Sequence, residues 1–212
     1  VVVDPEVDLT LLGPLGCGIQ TGSGTVLNRL KPVVGESLVV FGCGAVGLSA
    51  IMAAKLTGCS QIIAVDIHAS RLALAGELGA THQINGKEQD AVAVIKQITG
   101  KGAHYAVETT GVSAIVLQAV HAVKPLGTVA IVGFTGDITL NVQNDLMAEG
   151  KSLVGVIEGD AVPALFIPLL VQLYKQGKFP IDKLIARYPL ADINQAFADS
   201  ASGKVIKPVV VM

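Results

Sequence analysis

The feature that most restricts the fold of this chain is the stretch "ESLVVFGCGAVGLSAI", residues 36–51. Its uncharged, β-branched opening, 36–42, reads as a short strand buried on both faces. The strand runs into Gly42, Gly44 and Gly47, spaced G-x-G-x-x-G, and passes through Ala45 and Val46 into an Ala- and Leu-rich helix, 45–58, closed by Gly58. In such a turn Gly42 permits the sharp reversal, and Gly44 lets the backbone approach a pyrophosphate. Gly47 lets the helix lie close on the sheet, while the helix N-terminus attracts phosphate charge. The spacing alone is unspecific. The second strand narrows the reading.

That strand, the apolar run "QIIAVD" (61–66), ends in Asp66, nineteen residues after Gly47. A carboxylate at that place accepts hydrogen bonds from the ribose hydroxyls of NAD and repels the 2′-phosphate of NADP. An exposed Asp capping the following helix is the alternative, and it is compatible with the ribose role. Together these elements point to a dinucleotide. The competing reading is an S-adenosylmethionine-dependent methyltransferase, which also joins a glycine-rich turn to an acid after its second strand. The reversed seventh strand and hairpin usual in those domains are not seen.

The alternation continues with helix 69–80, strand 82–85, helix 88–100 and a strand with its turn over 103–111. Helix 113–123 stops before Pro125, strand 127–133 follows, and a helix over 140–150 leads to strand 152–157. Six strands with helical crossovers predict an α/β fold, a doubly wound parallel sheet of the Rossmann type. After about Ile157 the rhythm is lost. An apolar helix over 161–179 is interrupted by Pro163 and Pro168, and 205–212 reads as a last strand. That tail looks like a return into a neighbouring domain.

Charged residues make up 15% of the chain, against about 25% in an average soluble protein, which suggests a surface covered by another domain or subunit. A net charge of −2 gives no basic face for nucleic acid or an anionic membrane. Residues 37–54 carry no charge over eighteen positions, but three glycines and two serines interrupt them, so a membrane span is rejected. Cys17, Cys43 and Cys59 form no disulfide framework and no secretory leader opens the chain, so a cytoplasmic setting is expected. The start "VVVDPEVDLT", a strand-like run and then an acidic, proline-containing approach, reads as mid-chain, and a truncated chain and a natural start after processing both fit it.

Taken in order, "GCGIQTGSGTVLN", "VVFGCGAVGLSAI", "VDIHASRLALAGELGATHQIN", "VETTG", "GTVAIVG" and "GKVIKPVVVM" resemble the zinc-dependent medium-chain alcohol dehydrogenases over essentially the whole chain. The segment 155–185 and the terminal "IKPVVVM" look most like the aryl-alcohol (benzyl-alcohol) branch. The resemblance implies an oxidoreductase that passes hydride from a small alcohol to NAD, giving an aldehyde, with zinc as Lewis acid. It makes Cys17 the third protein ligand of that zinc; the bland alternative is a small buried residue. The remaining ligands belong to an N-terminal GroES-like domain that this chain lacks, and one thiolate does not complete a zinc site. The chain alone is therefore expected to be inactive, an NAD-binding and assembly module.

Position by position, Thr21 matches a threonine beside the nicotinamide, and Arg71 a basic residue near the adenosine ribose, or simply a solvated helix residue. Thr109 lies where the chain passes the cofactor, with Thr110 next to it, and Val132 ends the fifth strand by the nicotinamide. The backbone at Val156 and Glu158 matches the carboxamide contacts. Lys207 stands where an Arg usually reaches the pyrophosphate. The division implied is 1–18 as a catalytic-domain segment and linker, 19–157 as the NAD-binding domain, and 158–212 as the return. Homo-oligomers are expected by analogy. A zinc-free quinone reductase is disfavoured by Cys17; the four histidines read as surface or structural, with His68, just after Asp66, within reach of the adenine ribose, and the other two cysteines read as structural.

Overall fold

Six strands line up in parallel: β1 (Ser37–Phe41), β2 (Gln61–Asp66), β3 (His82–Asn85), β4 (Ala103–Glu108), β5 (Val123–Ile131) and β6 (Ser152–Gly155). The computed structural model that shows them describes residues 1–4 and 6–212. Pro5, in the approach segment, lies outside the described residues, and residues 1–4 carry no regular structure. The strand order is β3-β2-β1-β4-β5-β6. Connections wind outward in both directions from β1, so the order reverses between β1 and β4, where a crevice opens at the carboxyl ends.

Side-chain alternation explains why β1 reads as continuously apolar. Leu38 and Val40 join the core on one face of the sheet, Val39 and Phe41 the core on the other. Helices α2 (Ala45–Thr57) and α3 (Ala69–Leu78) cover the first face. Helices α4 (Ala91–Thr99) and α5 (Ser113–Ala122) cover the second, with Ile95, Ala119 and Val120 buried there.

Ahead of the sheet stands a helix that the sequence reading assigns no element: α1, Gly18–Gly24, buried at every residue. It continues over Thr25–Leu30 in wider turns, with Lys31 N–H donating to the carbonyl of Val26, five residues back, at 2.8 Å. "GIQTGSG" is poor in helix formers. Its glycines serve packing instead, since a Cβ on Gly22 would lie 1.9 Å from the Val46 carbonyl oxygen. Close approach of α1 to α2 outweighs propensity.

Other differences have local causes. The helix expected over 140–150 is two short helical turns, 142–146 and 147–149, with no buried residue to hold a longer one. Helix α6 (Pro163–Lys175) is not broken by its prolines. Pro163 sits in the first turn, where no N–H is needed. Pro168 leaves the Ala164 carbonyl without its donor, but Ala164 is exposed and water can serve it. Phe166, Leu170, Phe179, Ile181 and Leu184 share one core with Ile51 and Ala54 of α2. Beyond them β7 (Ile185–Pro189) and β8 (Lys207–Val211) pair in parallel as a separate two-stranded sheet, with α7 (Ile193–Ala201) between them in sequence. Among the described residues no helix is long and apolar enough to cross a membrane.

Candidate functional site

The glycine turn sits at the carboxyl end of β1. Gly42 has φ +92°, a left-handed conformation that other residues rarely adopt. Gly44 is the N-cap of α2 and provides no side-chain cap, so the first N–H groups of a thirteen-residue helix stay available. A Cβ on Gly44 would meet nothing within 4 Å, whereas one on Gly47 would lie 1.8 Å from the Gly42 carbonyl oxygen. Free donors, an open approach at Gly44 and a helix welded to its own turn suit a phosphate-bearing ligand. Thr109 braces this turn from β4, its hydroxyl donating to the Phe41 and Gly42 carbonyls at 2.9 and 3.0 Å.

Asp66 closes β2 beside the glycine turn. Its Oδ2 accepts the Cys43 N–H at 2.6 Å, and its Oδ1 accepts the N–H groups of Ile67 and His68 at 2.7 and 2.8 Å. The carboxylate thereby ties the glycine turn to the loop leading into α3. A carboxylate offers about four acceptor positions, so one remains beyond these three bonds. Cys43, between the glycines, is buried; desolvation and the neighbouring Asp66 charge push its thiol pKa well up. Arg71, in the first turn of α3, lies against Gly203 of the tail, and its buried Nε has no hydrogen-bond partner among the described residues.

The other half is a cleft of about 510 Å³. Of the predicted site residues, Cys17, Thr21, Val46, Thr109, Val132, Val156 and Glu158 line it, together with Thr110, Gly133, Phe134 and Ile157. Cys17 is exposed at the N-cap of α1 and Thr21 follows one turn later. Val156 donates its N–H to the Ile131 carbonyl at 3.0 Å, which extends the β5–β6 pairing into the cleft wall. Asp66, Arg71 and Lys207 are outside this lining; Lys207 opens β8 opposite Ile185. Among the described residues no three His, Cys, Asp or Glu side chains gather as a metal site.

Two polar anchors escaped the sequence reading. Glu108 ends β4 and is fully buried, accepting N–H bonds from Thr110 at 2.7 Å and Gly111 at 3.2 Å and the Thr110 hydroxyl bond. A lone acid closing an apolar strand, in the same place as Asp66 on β2, was the available signal. Gln20, 2% exposed, donates through Nε2 to the Gly16 carbonyl at 3.1 Å and to Glu158 Oε2 at 2.8 Å. No sequence pattern links residues 138 apart.

The sheet order, the glycine turn at its crevice and the acid closing β2 define a Rossmann-type α/β domain. The family model described as "zinc-binding dehydrogenase" matches residues 45–175. The chain belongs to the zinc-dependent medium-chain alcohol dehydrogenase family. It is 42% identical over its whole length to a geraniol dehydrogenase of Castellaniella defragrans and 33% identical over 99% of its length to alcohol dehydrogenase 1 of Pisum sativum, spanning 57% of each. The solved benzyl alcohol dehydrogenase of Acinetobacter calcoaceticus superposes with a TM-score of 0.96 at 52% identity, over 99% of this chain and 59% of that one. Relatives of this kind leave the methyltransferase reading without support.

Proposed function

We propose that the chain is the cofactor-binding part of an NAD-dependent alcohol dehydrogenase that oxidises a primary aryl alcohol to its aldehyde. The observation that carries this reading is the uncapped N-terminus of α2 beneath the open Gly44, with Asp66 fixed at the end of β2. When bound, the nicotinamide supplies a hydride acceptor and a zinc supplies a Lewis acid for the alcohol oxygen. The chain's own residues do the positioning. The helix N-terminus with Ala45 and Val46 takes the pyrophosphate; Asp66 takes the adenosine ribose, assisted by Arg71. Thr21 and Val132 hold the nicotinamide, and the backbone at Val156 and Glu158 takes its carboxamide.

Cys17 opens into the same cleft as Thr21 and would be one zinc ligand. The others, with most of the alcohol pocket, are assigned to a GroES-like domain, so this chain binds NAD without turnover. Identity of 52% to a benzyl alcohol dehydrogenase, against 42% to a geraniol dehydrogenase, supports the aryl substrate. Lys207 is assigned to the pyrophosphate by the same family correspondence. Self-association is supported by the edge position of β6 and the exposed Met147 and Ile157 on either side of it in sequence. Three free cysteines suit a reducing, cytoplasmic setting.

The test is a titration with NADH and NADPH, following nicotinamide fluorescence, which no Trp of this chain obscures. Tighter binding of NADH is expected. Binding of neither would overturn the proposal.

A further inference from the structure

Glu158, Gly159 and Asp160 all adopt positive φ, at 50°, 67° and 48°. For the two residues with a Cβ this carries a steric penalty that glycine escapes, and such runs persist where surrounding contacts over-determine them. Those contacts are present. The Gly159 carbonyl accepts a hydrogen bond from Asn28 Nδ2 at 3.0 Å, and Arg29 meets Asp160 at 3.4 Å. Gly159 also lies so close to α1 that a Cβ on Gly24 would stand 2.5 Å from its oxygen. The turn is clamped to the first helix, and the clamp returns Glu158 to the cleft.

There Glu158 Oε2 accepts from Gln20 Nε2 at 2.8 Å and from the Thr21 hydroxyl at 3.3 Å. Among the described residues Oε1 has no hydrogen-bond partner. Of the described residues lining the cleft, Glu158 alone carries a carboxylate, an ammonium or a guanidinium. The cleft lies beyond the carboxyl ends of β4, β5 and β6, on the opposite side of the glycine turn from Asp66. A dinucleotide with its adenosine at Asp66 must place its nicotinamide here. The oxidised nicotinamide ring carries a positive charge, and the reduced ring carries none.

We propose that the Glu158 carboxylate makes this cleft select the oxidised over the reduced cofactor by charge. The inference rests on the dinucleotide reading of the site. Gln20 and Thr21, bonded to the same carboxylate, fix its Oε2 at the cleft wall. An exposed carboxylate acting through partly screened solvent supports a preference of about fivefold.

The experiment is calorimetric titration of NAD+ and of NADH into the chain, Glu158→Gln and Glu158→Asp, each checked for an intact thermal transition. Glu158→Gln is expected to loosen NAD+ by about fivefold and NADH by less than about twofold, while Glu158→Asp, which keeps the charge, preserves the wild-type ratio. Equal loosening of both forms would make Glu158 a brace for Thr21 and overturn the proposal, as would no change in either. Raising monovalent salt from about 0.05 to about 0.5 M offers a second readout on the unmodified chain, and its NAD+ to NADH ratio should fall. A salt-independent ratio counts against the charge. Failure of the unmodified chain to bind either form overturns the dinucleotide reading itself; binding of both with an unaltered ratio in Glu158→Gln overturns this inference alone.

Discussion

At the carboxyl end of β2, outside the cleft lining, Asp66 is held by the N–H groups of Cys43, Ile67 and His68, which lie 23, 1 and 2 residues away in the chain. In the cleft beyond β4, β5 and β6, Glu158 is held by Gln20 and Thr21, 138 and 137 residues away. The first half is made of backbone donors fixed by the β1–α2–β2 unit itself. The second is made of side chains that meet because α1 lies across α2 and the turn after β6 lies across α1. The difference teaches where each half should be vulnerable: the glycine turn through the fold, the distal end through alignment.

Gly47→Ala should have the largest effect, because its Cβ would stand 1.8 Å from a backbone oxygen that cannot swing aside. A loss of about 3 kcal/mol is expected in denaturant unfolding. A loss below about 1 kcal/mol would show the turn is less tightly joined to the core than the comparison holds.

Asp66→Ala comes next. It strips the acceptor from three backbone N–H groups, and roughly 2 kcal/mol of stability should go with it. The preference for NADH over NADPH should also vanish in a fluorescence titration. Loss of stability with the preference intact would separate the turn-holding role from ribose recognition.

At the distal end, Gln20→Leu removes the donor to Gly16 and Glu158 and should cost about 1 kcal/mol by thermal unfolding. Its larger signature should be weakened nicotinamide binding. If its stability cost matches that of Asp66→Ala, the two halves are equally built into the fold.

The two cysteines sharpen the same contrast. Cys17 is exposed in the distal cleft, whereas burial and the Asp66 charge raise the Cys43 thiol. Iodoacetamide should label Cys17 at neutral pH and leave Cys43 untouched until the protein unfolds, with peptide mass spectrometry as the readout. Early labelling at Cys43 would mean that the turn opens locally.

Gly44→Ala should change stability least. Its φ of −79° suits alanine and its Cβ would meet nothing within 4 Å, so a change within about 0.5 kcal/mol is expected. NADH affinity should nonetheless fall on the order of tenfold, since in the proposed reading the methyl would stand where the pyrophosphate approaches. Unchanged affinity would remove Gly44 from the site.

The sheet was legible in the chain because each βα unit writes its own signals. Runs such as "SLVVF" and "QIIAVD" are apolar since both faces are covered, and Gly58 and Gly79 mark where helices end. Glu108 was readable in principle as an acid closing an apolar strand. Helix α1 was not readable. Its glycines argue against a helix locally and make sense once α2 lies against them. The segment 140–150 shows the reverse: a helical composition that finds no core to bury.

By itself the sequence determined the succession of the six sheet strands, the glycine turn and the acid that ends β2, because these depend on spacings within some thirty residues. Tertiary structure decided that Gly22 packs on Val46 and that Gly159 meets Gly24. It also decided that Glu158, in a backbone conformation a glutamate rarely adopts, bonds to Gln20 and Thr21 at the cleft wall. Contacts between elements outside one βα unit leave no periodic trace in a chain. They exist when packing sets the distance between two helices and a turn, and that distance is a property of the assembled core.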